Sequence, residues 1–387
     1  MNCDPDPDLD QGPDLEKVTF DFWTKNISIH GKEVYIKSLI HRTETFVKNL
    51  RWRAFFFLNP ELVQPDKETF GFNSTRPPPF IPELKDFKNE LAELIQNIKF
   101  KKTYNSFQAH LNRDIKSINN EKRLFIPADK TNNFYKIKPQ DYEKLLSKSI
   151  QQEYSKSDTR TTDEITRIDK HIASTLSLAD RINVTAKREA FITLKDHKEN
   201  FKNKPTCRLI NPCKPEIGKI SKQILERINK DVREKTQSNQ RRKTKDVITW
   251  FDNIKDKKEK SFIIFDICDF YPSISEKLLD EALDFASTHS NFTAEERFII
   301  KHTKKTTLYN NNTPWSKKKT NFDVTMGSYD GAETCELVGL FLLSQLNKLN
   351  IDVGLYRDDG LAVCKKAQTP KQIKEIKQTI CKIFKNN

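Results

Sequence analysis

Three aspartates carry the chemistry this sequence can offer. Asp358 and Asp359 sit side by side in GLYRDDGLAV (354–363), and Asp266 ends the apolar run FIIF (262–265). Aspartate is common in turns and Asp-Gly is a frequent hairpin dipeptide, so the adjacent pair alone is also an ordinary turn signal. The third carboxylate adds to it. FIIF reads as a strand buried on both faces, and a charge closing such a strand is costly unless a partner or a metal offsets it. If that strand lies beside the hairpin, three carboxylates meet at one sheet edge. Such an arrangement suits two divalent ions about 4 Å apart, one activating an attacking hydroxyl and the other holding a triphosphate. The implied ligands are all hard oxygens, which selects Mg²⁺ (two ions), with Mn²⁺ as a substitute.

The surrounding elements must position these residues. Residues 17–60 show helical spacing through ETFVKNLRWRAFFFLNP, where Pro60 stops the helix, and 84–118 repeat a Lys-rich helical pattern beyond the linker-like RPPPFIP (76–82). RLFIPADKTNNFYKI (123–137) reads as two short strands around a turn, and 139–190 as mostly helical. AFITLKDHKEN (190–200), PTCRLINP (205–212) and a helix over 216–235 form one unit, and QSNQRRKTKD reads as a solvated loop or helix start. KSFIIFDICDFYPSI (260–274) brings in the strand with Asp266, followed by helical patterns near 276–288 and 294–306 and a polar hairpin over 307–325. MGSYDGAETCELVGLFLLSQL (326–346) is a Gly-rich turn entering an apolar helix, and a last helix covers about 369–385. This order suggests an α+β domain.

The motifs resemble those of reverse transcriptases. FDICDFYPSI and YRDD are similar to motifs A and C, and MGSYDGAE with its apolar helix is similar to motif B. ADKTNN (128–133) and LKDHKENFKNKPTCRLINP (194–212) resemble the fingers blocks of Penelope-like retroelement enzymes, and FVKNLRWRAFFF resembles a stretch ahead of their polymerase. The resemblance covers roughly 40–385. It implies right-hand polymerase fingers and a palm with a ferredoxin-like antiparallel sheet, preceded by a helical N-terminal region. The expected boundaries are a disordered acidic tail at 1–16, the helical region at 17–120, fingers at 121–255 and palm at 256–387.

The resemblance also implies residue roles. Asp266, Asp358 and Asp359 would be catalytic metal ligands, with the backbone carbonyl of Ile267 beside them. Tyr271, five residues after Asp266, would sit under the incoming sugar and select dNTPs over rNTPs; an ordinary core tyrosine is the other reading. Phe270 would pack in the core, and Asp269 would cap or orient the nucleotide pocket. Arg208 would fork onto triphosphate oxygens. Lys195, Lys198, Lys202 and Lys204 form a basic ladder near it, for the γ-phosphate or the template; Lys130 is another candidate for either. His197 would pack. Gly327, Ser328 and Tyr329 would line the nucleotide-binding turn, with Gly327 letting backbone approach the nascent base pair or template. Arg357 and Asp196 depart from the family pattern, and motif B lacks the usual prolines. Strand alternation would aim Arg357 away from the metals, toward a primer phosphate. Only 28 residues follow Asp359 (387 − 359), which implies part of motif D and no thumb. The expected activity is RNA-directed DNA synthesis from dNTPs on an RNA template and DNA primer. A truncated copy that only binds nucleic acid is the alternative.

Composition is consistent with this. Net charge is +14 from 68 Lys+Arg and 54 Asp+Glu, which favours a polyanionic partner. The 7 cysteines include no CxxC pair, and the 7 histidines form no HExxH, so a zinc site and a disulfide frame are not expected. No apolar run approaches a membrane span, and the N-terminus lacks a secretory signal. An intracellular protein, nuclear or cytoplasmic and not secreted, is expected; no oligomeric state is implied.

Overall fold

The computed structural model describes residues 15–18, 32–62, 69–101, 113, 115–116, 118, 120–184, 187–238, 240–241, 243–348, 352–366 and 369–386. It is a mixed helix and sheet structure with small antiparallel sheets, divided into two compact units. The first contains Met1–Glu143 and Leu194–Thr206, the second Lys144–Thr193 and Cys207–Asn387.

In the first unit, β1 (Glu16–Val18) pairs antiparallel with β3 (Phe134–Ile137), which also pairs with β2 (Leu124–Pro127). The two strands expected around ADKTNN are therefore present. The strand at Glu16–Val18 corrects two expectations, since the helical region does not begin at 17 and residue 16 is not tail; residues 1–14 lie outside the described residues. Helix α1 (Lys32–Leu58) stops ahead of Pro60, and α2 (Leu84–Gln96) covers the first part of the pattern expected over 84–118. Arg51 ties α1 to the Pro-rich segment, its guanidinium donating to the Pro78 and Pro79 carbonyls at 2.7 Å.

Helix α3 (Pro139–Glu153) leads to β4 (Tyr154–Lys156) and α4 (Thr159–Thr175), where Asp158 caps the helix by accepting from the Arg160 amide. Strands β5 (Phe191–Leu194) and β6 (Cys207–Ile210) pair with each other, followed by α5 (Ile217–Thr236) and α6 (Thr244–Asn253). Next come β7 (Lys260–Asp266), the one-turn α7 (Phe270–Ser273), α8 (Glu276–Ser287) and α9 (Ala294–His302). The TAEE sequence closes a capping box on α9: Thr293 Oγ1 accepts from the Glu296 amide at 3.1 Å and Glu296 Oε2 accepts from the Thr293 amide at 2.9 Å. The expected polar hairpin forms as β8 (Leu308–Asn310) and β9 (Thr313–Lys317), with β4 on its other side. Helix α10 (Gly331–Asn347), strands β10 (Asp352–Tyr356) and β11 (Asp359–Lys365), and α11 (Pro370–Asn386) complete the chain.

The sheet that carries the aspartates is antiparallel, in the order β10-β11-β7. Its connections follow the first five elements of a β-α-β-β-α-β plan, with extra helices and a hairpin inserted. One face is buried: Ile263, Val353, Leu355 and Ala362 pack with Leu343, Leu346 and Ile380 of α10 and α11. The other face is open, with Phe262 37% and Ile264 83% exposed. This corrects the reading of FIIF as buried on both faces: period-2 alternation decides burial, and a continuous apolar run hides which half is covered.

Helix α10 is apolar and buried over most of its surface, with Leu337, Val338, Leu340 and Leu343 at 0% exposure and the helix packed against α5 and α8, while Glu333 and Glu336 in its first half pair with Lys222 and Arg233. Its start is held by a buried ion pair between Lys304 and Asp330, both side chains 1% exposed, and Asp330 Oδ2 also accepts from Thr303 Oγ1 at 2.8 Å. Removing one partner strands the other's charge. Lys304→Met is therefore expected to lower stability by about 3–5 kcal/mol, read from the urea midpoint. In the sheet, Gly360 faces Phe265, and a Cβ there would lie 2.1 Å from the ring. Gly360→Ala displaces that ring from the core, for an expected loss of about 1–3 kcal/mol in the same measurement.

Candidate active site

The register of one ladder assembles the carboxylates. Strand β11 runs antiparallel to β7 with Asp359 directly opposite Asp266, and the Ile267 amide donates to the Asp358 carbonyl at 2.9 Å just beyond the ladder. Asp358 occupies the turn between β10 and β11, where Arg357 takes a left-handed φ of 58°. All three aspartates are exposed. They meet at one end of the sheet, as expected of a strand beside a hairpin.

The donors gathered here are carboxylates, the chemistry a divalent cation takes. Like charges directly opposite each other destabilise a ladder, and carboxylate oxygens are hard ligands suited to Mg²⁺ or Mn²⁺. Among the described residues, no group of three or more His, Cys, Asp or Glu side chains is placed to hold a metal ion, so the three aspartates share an end of the sheet without forming a preassembled site. The side chain of Ile267 packs against the core under the sheet, which leaves its backbone at the rim.

Past Asp266 the chain turns sharply. Asp269 adopts a left-handed φ of 49° at the N-cap of α7, and its carbonyl accepts from the Ser273 amide at 3.0 Å, while its carboxylate makes no cap bond. Phe270 is buried, as expected for a packing residue. Tyr271 is half-buried and lines a cleft of about 200 Å³ with Gln240, Arg241, Ala332, Glu333, Cys335, Glu336 and Arg357. Its hydroxyl is pushed up to about 12, by burial first, then by Cys335 and Asp358, with Arg357 acting the other way. Tyr271 therefore stays a neutral phenol at physiological pH, beside the Asp358 charge. Burial also pushes the Cys335 thiol up, so it is protonated there.

Arg357 differs from expectation. It lies in the turn and not on a strand, so strand alternation does not aim it; its guanidinium stands 5.9 Å from the Tyr356 ring and shares the cleft with Tyr271.

The Gly-rich turn joins this wall. Gly327 has φ 112°, and a Cβ there would lie 2.7 Å from the Asn211 carbonyl oxygen. The close approach that requires glycine is thus to the chain just past β6, three residues after the half-buried Arg208. Ser328 Oγ donates to the Thr325 carbonyl at 3.1 Å, and the Tyr329 ring lies under Lys214 and Lys219 at 5.5 and 5.2 Å. A Cβ on Gly331 would sit 3.3 Å from Tyr271 Cε1, so the turn and Tyr271 are neighbours.

Lys130, Lys195, Lys198, Lys202 and Lys204 belong to the first unit, and the carboxylates, Tyr271, Arg208 and the Gly-rich turn to the second. Within its unit, Lys130 lies on the turn after β2 and the others on the loop after β5. His197 is exposed there, which corrects the expectation that it packs.

Gln240 and Arg241 were missed by sequence reasoning. They fall in QSNQRRKTKD, yet Gln240 is 7% exposed and bridges Leu355 of β10, and the Arg241 amide donates to the Leu355 carbonyl at 2.7 Å. The Gln240 amide lies where a Cβ on Gly339 of α10 would fall, 2.6 Å away, and the Arg241 guanidinium stands 5.4 Å from the Trp250 ring. Nothing in a polar, charged run distinguishes such a strap from a solvated loop; the glycine inside the apolar α10 was the one available signal.

No family model matches the chain, and no curated protein matches it in sequence. Solved structures similar to it are telomerases. With telomerase from Candida albicans in complex with a TWJ fragment of telomeric RNA, identity is 10% and TM-score 0.47, over 78% of this chain and 52% of that one. With apo telomerase from Candida tropicalis, identity is 11% and TM-score 0.48, over 89% and 68%. The chain thus spans about half the length of the Candida albicans protein.

Proposed function

We propose that this chain is the fingers and palm of a retroelement reverse transcriptase of Penelope-like type, an RNA-directed DNA polymerase that adds dNTPs to a primer 3′-hydroxyl. The observation that carries the reading is the β7–β11 register, which opposes Asp266 and Asp359 with Asp358 on the adjoining turn. The motif order of the sequence supplies the rest: motif A on β7, motif B at the start of α10, motif C on the β10–β11 hairpin. Asp266, Asp358 and Asp359 would hold two Mg²⁺ ions, which when bound supply hydroxyl activation and charge neutralisation at the transferred phosphate. Tyr271 borders the site as a neutral ring backed by α10, where it would exclude a 2′-hydroxyl. Arg208 would take the triphosphate through its forked donors.

The test is Mg²⁺-dependent extension of a DNA primer on an RNA template. Asp358→Ala is expected to abolish extension while leaving the urea midpoint within about 0.5 kcal/mol of the parent, as for an exposed position. Absence of extension from the parent chain, with salt-sensitive RNA binding retained, would instead favour a protein that binds nucleic acid without catalysis. In the active protein, Tyr271→Ala is expected to raise the rNTP-to-dNTP incorporation ratio by about tenfold or more. An unchanged ratio with lowered stability would return Tyr271 to a packing role.

A further inference from the structure

The first unit holds a carboxylate whose surroundings are unusual for so basic a segment. Asp196 follows Lys195 and precedes His197 and Lys198. A carboxylate among lysines ordinarily pairs with one of them. Instead, Asp196 Oδ2 accepts from Thr131 Oγ1 at 2.8 Å, Asn133 Nδ2 at 2.7 Å and the Tyr135 hydroxyl at 3.1 Å. All three donors are neutral, and all come from the segment 131–135. Burial opposes the charge, but the bonds from Asn133, Thr131 and Tyr135 outweigh it and keep the carboxyl below its usual range. Asp196 is thus spent on fixing one loop to another, and it neutralises no lysine.

The rest of the segment is built around this joint. The 195–206 loop is closed at its base by the Lys195 amide donating to the Thr206 carbonyl at 2.9 Å. Inside it, the Lys198 amide donates to the Lys195 carbonyl at 3.2 Å, and the Phe201 amide to the Lys198 carbonyl at 3.0 Å. Phe201 is 7% exposed and packs edge-on against Tyr135 at 5.3 Å, the same tyrosine that holds Asp196. The neighbouring turn is fastened by the Asp129 amide donating to the Leu194 carbonyl at 2.8 Å. Two loops are therefore locked together, and Lys130, Lys198, Lys202 and Lys204 stand exposed on them, with Lys195 half-buried. Among the described residues none of these five lysines has a carboxylate partner. Their charges are spread over a turn and a long loop, a distribution that suits the repeated phosphates of a strand better than one compact anion.

We propose that Asp196 is a positioning residue that locks the 128–133 turn and the 195–206 loop into a lysine platform for the phosphate backbone of a nucleic-acid strand. The proposal rests on the nucleic-acid part of the function proposed above and not on catalysis. It has a consequence opposite in sign to simple electrostatics. Removing a negative charge from a basic surface should tighten RNA binding, whereas losing the joint that aligns the lysines should weaken it.

The test is the affinity of the full chain for a fluorescent single-stranded RNA over a salt series, with folding followed by circular dichroism. Lys198→Gln with Lys202→Gln is expected to reduce the slope of log K against log salt by about 1.4, at about 0.7 per phosphate contact on a single strand. Asp196→Ala is expected to weaken binding about tenfold at low salt and to flatten the slope, despite the added positive charge. Asp196→Asn, which keeps an acceptor oxygen, is expected to recover most of the loss. Tyr135→Phe removes one donor while keeping the ring on Phe201, so it carries the same test, with a smaller loss expected, if Asp196→Ala fails to fold. Equal or tighter binding by the Asp196 and Tyr135 variants, with an unchanged slope, overturns the proposal. So does a lysine-pair variant that binds RNA normally but no longer binds inorganic tripolyphosphate, because the platform would then serve a free triphosphate. Primer extension is scored separately: its absence with platform-dependent binding sinks only the catalytic reading, and extension with platform-independent binding sinks only this one.

Discussion

Everything at the candidate active site depends on the pairing of β7 with β11. Seven consecutive residue pairs fix that ladder, from Asp359 opposite Asp266 to Lys365 opposite Lys260. A slip of one residue would turn Ile263 and Ala362 out to solvent and bury the neighbouring positions. The carboxylates hold their places because Ile263, Val353, Leu355 and Ala362 must face Leu343 and Ile380. Core packing thus pays for bringing like charges together, since nothing in the electrostatics of two opposed aspartates would do so.

The helix under this sheet sets the opposite wall. Helix α10 is too apolar to stand anywhere but in the interior, and the chain entering it must turn from the surface into the core. That entry is where the polar groups concentrate: Asp330 takes Lys304 and Thr303, the Thr334 hydroxyl returns to the Asp330 carbonyl at 2.8 Å, and Gly327 accommodates the Asn211 carbonyl. Nearby, the buried His302 and Asp169 share a contact of 2.9 Å, and Tyr154 donates to Asp323 at 2.5 Å. A buried polar group left unpaired is costly, so each such pair favours one arrangement of the turn over its alternatives.

Two aspartates show how context decides what a charge does. Asp330 is buried against a cation, and the pair anchors a helix start in the second unit. Asp196 is held by three neutral donors and joins two loops in the first. Both are structural anchors, yet only the second leaves the surrounding cations unspent. Asp266 and Asp358 differ again, being exposed at the end of a sheet. The residue type is the same in all cases; the neighbours supplied by the fold separate the roles.

Much of this was legible in the sequence because it rests on local rules. The hairpin around Asp358, the strand ending at Asp266, the two strands flanking ADKTNN and the apolar helix after Gly331 all follow from alternation and turn chemistry. The residue order that groups three aspartates was also readable. What tertiary structure alone decided is which face of FIIF is covered, that Gln240 and Arg241 strap the edge of β10, that Arg357 sits in the turn beside Tyr271's cleft, and that Asp196 serves the ADKTNN turn. Each depends on a partner far away in the chain: Asp196 lies 65 residues from Thr131, and Gln240 more than a hundred from Leu355. Local propensity sees only neighbours in sequence, and a polar or charged residue declares its role only once the fold has chosen what stands opposite it.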